Sequence, residues 1–328
     1  MFIGFIVVAL VYSLHQYVIQ NYRYEFVDSN GKSIFVKNFF TENKQTDDNR
    51  VFIIGSSHVQ SLNTTYIHDY LLKRNLNFSV YNFGTGSDDP VERSRIIDTM
   101  FLAKPKIIVY GISYRDFENP SLSNQQTLKT PLNYLPDPIS LFKNLFLESK
   151  IPLTAFDFLR NPEGITLAAI DYFIPKKKSN EEQTFYPFPN APYKIGKNDT
   201  VVLTDYELNH YYERNPYLFT TIDSVDNNSD MLALEEIISK IKKNNVKFII
   251  FTTPQSGYFL KTLTNSDRKN FELILNKIGS EFNLRIYQFN NNYTKLNIWK
   301  DPTHVAINDN VTIYNDNISQ LILKELES

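Results

Sequence analysis

Val51-Phe52-Ile53-Ile54-Gly55-Ser56-Ser57-His58 runs from four apolar, mostly β-branched residues straight into a Gly-Ser-Ser turn. A short apolar run with no polar alternation, closed by a glycine, reads as a strand buried on both faces, which is how strands sit inside a parallel sheet. The residues on either side repeat the motif with helices between. Asn63–Arg74 has helical spacing, and Phe78–Phe83 is a second strand. Asp89-Pro90 then opens a helix through Leu102, with Asp at the N-cap and Pro at the first helical position. Lys106–Tyr110 is a third strand, ended by Gly111.

The same alternation returns near the C-terminus. Asp230–Lys243 is a helix with Leu234, Ile237, Ile238 and Ile241 on one face. Lys247–Thr253 is a strand closed by Pro254, and Ser266–Phe282 is a helix buried through Phe271, Ile274, Leu275 and Ile278. Leu284–Phe289 is the fifth strand. Val311–Leu326 is the last helix, with Val311, Tyr314, Ile318, Leu321 and Ile322 inward. Short apolar strands alternating with amphipathic helices predict an α/β protein, a three-layer α/β/α fold around a five-stranded parallel sheet of flavodoxin-like type. Between the two halves, Phe117–Asn228 holds most of the prolines and many Tyr and Phe without a sustained period. A loop of that length without structure is improbable in a compact domain. It reads as an aromatic-rich insertion packed over one end of the sheet, with Leu167–Phe173 and Thr200–Leu203 as candidate short elements.

Composition narrows the class. The 328 residues are 42% hydrophobic and 21% charged, with a formal net charge of −2. Basic residues are scattered, so nucleic acid is not an expected partner. With no cysteine, disulfides and thiolate metal sites are excluded. Phe2–Tyr12 is apolar or small throughout and is extended by Leu14, Tyr17, Val18 and Ile19. Accepting His15 and Gln16, it approaches the roughly 20 residues that cross a bilayer as a helix. It lacks the basic leader and cleavage site of a secretory signal. Residues 1–22 therefore read as a membrane anchor, with a buried core helix as the alternative. Residues 23–49 form a connector with one candidate strand at Ser33–Val36, and residues 50–328 form the main domain. No Lys or Arg precedes Arg23, so flanking charge leaves the anchor's orientation open.

In parallel α/β sheets, functional groups collect at the C-terminal edge of the strands. Gly55-Ser56-Ser57, Asn82-Phe83-Gly84, Gly111-Ile112-Ser113, Thr253-Pro254 and Asp301-Pro302-Thr303-His304 all follow strands or lie in such loops. Ser57, Asp301 and His304 supply a nucleophile, an orienting acid and a base, the set that acyl transfer needs. Each part has a plainer reading. Gly-Ser-Ser is also a common helix cap, and Asp-x-x-His a helix-start pair. The Ser57 N–H at the opening turn, the Gly84 N–H and the Ser113 hydroxyl are candidate oxyanion donors, although Gly84 also reads as a turn glycine. Arg115 is a candidate for binding an anionic substrate group, or equally a partner of Asp116. His58, next to Ser57, is badly placed to accept its proton and reads as a capping or pocket-lining residue. His210 is a weaker rival base within the insertion. No phosphate loop, zinc-type spacing or calcium loop is present, so neither cofactor nor metal is implied.

These blocks resemble those of the SGNH (GDSL-like) hydrolase superfamily. Gly55-Ser56-Ser57-His58 matches the Gly-Asp-Ser-Leu block and puts Ser57, rather than Ser56, at the nucleophile. Asn82-Phe83-Gly84 resembles the second block, whose glycine N–H serves the oxyanion hole, and Asp301–His304 matches the Asp-x-x-His block. The third block, usually Gly-x-Asn-Asp, reads Gly111-Ile112-Ser113-Tyr114, so Ser113 stands in place of an oxyanion-hole asparagine. An anchored domain with Gly-Ser-Ser is similar to envelope acyl-transfer proteins. The resemblance implies a serine esterase or O-acyltransferase acting on acylated glycans or small acyl esters outside the cytoplasm, with a membrane-bound O-acyltransferase as partner. The missing asparagine motivates an alternative, a non-catalytic binding or assembly protein of envelope polysaccharide modification. The Gly-x-Ser-x-Gly elbow of α/β-hydrolases is absent.

Overall fold

The computed structural model describes residues 49–86, 88–118, 185–214 and 221–327. The expected anchor, residues 23–48 of the connector, and the candidate elements Ser33–Val36 and Leu167–Phe173 lie outside the described residues. The chain divides into two compact units, and every described residue belongs to the one built from Val36–Ser123 and Glu182–Ser328.

That unit is an α/β domain around one five-stranded sheet in the order β2-β1-β3-β4-β5. The strands are β1 (Arg50–Gly55), β2 (Ser79–Asn82), β3 (Ile107–Ile112), β4 (Lys247–Thr252) and β5 (Ile286–Gln288), and every pairing is parallel. All residues of β1 and β3 are buried. Alternation decides which way they face. Val51, Ile53, Ile107, Val109, Ile249 and Phe251 share a core with Ile67 and Leu71 of α1 (Thr64–Leu72) and Tyr314, Ile318 and Ile322 of α5 (Ile313–Glu327). The intervening residues face the other layer. There α2 (Pro90–Met100) packs on α3 (Ser229–Lys243), and Lys277 of α4 (Asn265–Glu281) pairs with Glu235 of α3 at 3.1 Å.

Helix starts follow their caps. Asn63, Asp89, Asn228 and Thr264 each accept a backbone N–H three residues on, at 3.1, 2.8, 3.0 and 3.1 Å. Several expected boundaries are corrected. Strand β3 does not stop before Gly111 but continues to Ile112, because Gly111 pairs with Gly55 on one side and Phe251 on the other. Thr200–Leu203 is not an element of its own. It leaves a 3-10 turn at Lys197–Thr200, and the Leu203 N–H donates to Trp299 O at 2.8 Å. Helix α5 begins at Ile313, with Val311 buried just before it and Leu321 only half-buried.

The described parts of the insertion are tied to loops at the C-terminal ends of the strands. Asn82 N–H donates to Asn190 O at 2.9 Å, and the Tyr193 hydroxyl donates to Gln60 O at 2.5 Å. Asp199 pairs with Lys300 and accepts the Ile307 N–H through its carbonyl. Leu208 enters the main core, whereas Phe185, Tyr186 and Tyr206 are exposed. Among the described residues no helix is long and apolar enough to cross a membrane.

The strand order reverses between β1 and β3, since the chain leaves β1 toward β2 and returns past it to β3. In such sheets this is where a crevice opens at the C-terminal edge. Ser57 and Ser113 stand just beyond those two strand ends.

Candidate active site

The turn after β1 depends on absent side chains. Gly55 has φ +142°, and a Cβ there would collide with Gly111 O. Gly111 in turn leaves room for Val59 and Phe251. Val59 methyl groups also fill the place of a Cβ on Gly84, so the ends of β1, β2 and β3 close around one valine. Ser57–Val59 forms a single 3-10 turn, with Val59 N–H donating to Ser56 O at 3.2 Å. Ser56 and His58 are buried, and Ser57 between them is only half-buried.

Asp301 and His304 come from a tight loop. Trp299 and Val305 bridge antiparallel, Lys300 N–H donates to His304 O at 3.0 Å, and Ala306 N–H donates to Ile298 O at 2.7 Å. The buried Ser256 hydroxyl donates to Pro302 O at 2.5 Å, fastening the loop to the end of β4. The loop closes on itself rather than opening a helix, since α5 starts well after it.

The two ends of the chain meet here. Ser57 Oγ lies 2.7 Å from His304 Nε2. His304 Nδ1 lies 2.8 Å from Asp301 Oδ2 and 3.0 Å from Oδ1. Asp301 Oδ1 also accepts the backbone N–H groups of Thr303 and His304, at 2.8 and 2.9 Å, and the Thr303 hydroxyl at 3.0 Å. Burial alone pushes the Asp301 carboxyl up. The charge and hydrogen bond of His304, Lys300 and the Thr303 N–H outweigh that and hold it below the usual carboxylate range. A carboxylate on one ring nitrogen and a hydroxyl on the other form an arrangement able to withdraw the hydroxyl proton.

The other candidates fall into two groups. Ser57 N–H carries no backbone hydrogen bond among the described residues and is free to face an oxyanion. Gly84 N–H, by contrast, donates to Asn82 Oδ1 at 3.0 Å. Ser113 is buried at 1% exposure, and its N–H is taken by Asp116 Oδ2 at 2.6 Å, leaving only the hydroxyl as a possible donor. Arg115 does not pair with Asp116. Its Nε lies 3.6 Å from Glu118 Oε1, with the side chain 35% exposed. It is close enough to the triad for its charge to act on His58, and on Tyr211 and Tyr212 of the insertion, which also sense Asp301. His210 is turned away, its Nδ1 on Tyr206 O at 2.8 Å, and is not a rival base.

Four roles were not anticipated, that of His58 among them, since it was expected only to cap or line the pocket. Thr303 Oγ1 sits between Asp301 and His304, and Ser256 anchors the loop. The His58 ring stacks on His304. Buried Arg93 of α2 pairs with Asp88 and donates to Phe83 O at 3.1 Å and Gly55 O at 3.4 Å, joining the two loops that follow β1 and β2. The signal for Arg93 was available: it is in helical register with Ile97 and Met100, both fully buried. Among the described residues no cluster of His, Asp and Glu has the makings of a metal site.

No protein-family model and no curated protein sequence matches the chain. Among solved structures, the acetyl xylan esterase AlAXEase is similar over 84% of this chain and 98% of its own, at 10% identity and a TM-score of 0.40.

Proposed function

We propose that the chain is a serine esterase or O-acyltransferase of SGNH type. The observation that carries this reading is the continuous contact from Ser57 Oγ through both His304 nitrogens to Asp301. Ser57 Oγ attacks an acyl carbonyl while His304 Nε2 takes its proton, and Asp301 faces the imidazolium that forms. The carbonyl oxygen, now negative, is met by the Ser57 N–H. The Ser113 hydroxyl is a second donor, and the Gly84 N–H joins only by leaving Asn82. His304 returns the proton to the departing alcohol, leaving an acyl-Ser57 ester. Water or a sugar hydroxyl, deprotonated by His304, then attacks that ester and frees Ser57.

The finer reading adds the N-terminal apolar run and the aromatic insertion. It places the domain outside the cytoplasm on a membrane anchor, acting on acyl groups of cell-surface glycans beside a membrane-bound O-acyltransferase. Arg115, near the triad, would hold an anionic part of the substrate. The second reading, a binding or assembly protein without turnover, is favoured by the commitment of the Gly84 N–H to Asn82 and by Ser113 in place of asparagine.

One experiment separates these readings. Salt-washed membranes and soluble extract from cells making the full chain are treated with a fluorophosphonate probe. Labelling in the membrane fraction that disappears in Ser57→Ala is the expected result. Labelling confined to soluble extract would sink the anchor. A clean, folded protein that does not label would establish the non-catalytic reading.

A further inference from the structure

His58 adjoins the nucleophile in sequence, yet its ring meets the Ser56 hydroxyl and serves none of the steps above. It is 4% exposed. Its plane lies 16° from that of His304, with the ring centroids 4.4 Å apart, so the two imidazoles are stacked face to face. On its edge, Nδ1 lies 2.9 Å from Ser56 Oγ. Close by, the buried Asp116 carboxyl accepts the Ser113 N–H at 2.6 Å, which closes the turn after β3. The ring is thus held on its edge by the turn after β1 and lies with its face against the base.

We propose that His58 is a positioning residue for His304, a buried neutral imidazole held by Ser56 that fixes the plane of the base and offers its π face to the charge forming there. The inference rests on the acyl-transfer reading. A stacked aromatic face attracts a cation, so it acts most strongly when His304 holds the Ser57 proton. The attraction requires that His58 itself stay uncharged. Burial, then the neighbouring charges of His304, Arg115 and Lys300, hold its pKa well below the usual histidine value, against the opposing pull of Asp301. A neutral ring is compatible with its one hydrogen bond, since Nδ1 and the Ser56 hydroxyl can exchange donor and acceptor roles.

The test compares wild-type full-length protein with His58→Phe, which keeps a flat aromatic face, and His58→Ala, which removes it. Turnover of p-nitrophenyl acetate is read as kcat and KM across pH, and the His304 ring is followed by NMR titration. His58→Ala is expected to lower kcat about 10-fold with little change in KM. It should also move the acidic limb of the rate profile and the His304 titration together to lower pH. His58→Phe should retain kcat to within a few-fold. The proposal is overturned if His58→Ala keeps wild-type kcat and His304 titration, or if His58→Phe loses as much as His58→Ala. Should the alanine variant not fold, His58→Leu, which fills the space without a flat ring, takes its place. The NMR reading needs no turnover. An inactive, unlabelled wild type whose His304 still titrates differently from the variant would refute acyl transfer and leave the contact standing.

Discussion

At the scale of single residues, the site depends on which atom holds Asp301 in place. Thr303 Oγ1 lies 3.0 Å from Asp301 Oδ1 and 2.9 Å from His304 Nδ1, and so touches both members of the pair while Ser57 meets the far nitrogen. Thr303→Val keeps the shape and removes the hydroxyl. A hydrogen bond to a charged acceptor contributes about 1.5–3 kcal/mol, but Asp301 keeps two backbone donors. The expected outcome is therefore a fall in kcat of about 10-fold with KM and melting temperature nearly unchanged. Steady-state kinetics on a small ester with a thermal melt would check it, and an unchanged kcat would show that the backbone donors alone hold the carboxylate. Sequence shows Ser57, Asp301 and His304 because each lies in a short block with its own chemical signature. It does not show Thr303 or His58 in these roles. Nothing local distinguishes a bridging threonine from a loop threonine, and the stacking of His58 on His304 joins residues from opposite ends of the domain.

At the scale of elements, the strands and helices were legible because burial on both faces and helical spacing leave direct traces in the sequence. Their ends were less so. Whether β3 stops at Tyr110 or reaches Ile112 is decided by Gly55 and Phe251 on the neighbouring strands, not by β3 itself. The Arg93 clamp is likewise a property of several elements. Its Nε donates to Asp88 at 2.8 Å, and its Nη2 reaches carbonyls at the ends of β1 and β2. Arg93→Met would remove the guanidinium from the buried Asp88 carboxylate and should destabilise the protein by about 3–5 kcal/mol in urea unfolding. Replacing both partners, as Arg93→Met with Asp88→Leu, removes that buried charge and should recover most of the loss. Activity should stay depressed in the double variant, because no guanidinium then bridges Gly55 O and Phe83 O and the two loops lose one of their ties. Full recovery of activity along with stability would mean that the clamp serves folding alone.

For the whole molecule, the insertion was the least legible part. Its described stretches meet the domain at scattered points, such as Asn190 O with Asn82, Tyr193 with Gln60, Asp199 with Lys300 and Leu208 in the core, and contacts so spread impose no period on a sequence. The pH dependence of stability is also a global property, and here its sign is set by a few buried groups. Burial pushes Asp116 up to about 8, only partly offset by hydrogen bonds from the Ser113 backbone and Ser56. Burial, then Asp89, pushes Asp230 up to about 7. Each binds a proton in the folded state that the unfolded chain releases near pH 4. Their stabilisation is complete below that value and is lost as pH rises toward 8 and 7. His58 acts oppositely, since its lowered value makes the folded state resist protonation. Stability from that source is present above the ordinary histidine value of about 6.5 and falls as pH drops below it. Asp301, also lowered, loses its contribution only below about pH 4. The opposing effects therefore overlap between about pH 4 and 6.5, while above about 6.5 Asp116 dominates. Urea midpoints should fall from about pH 6.5 to 8, and Asp116→Asn, which retains an acceptor for Ser113 N–H but cannot ionise, should flatten that decline. A decline of the same slope in the variant would show that Asp116 is ionised in the folded protein throughout this range.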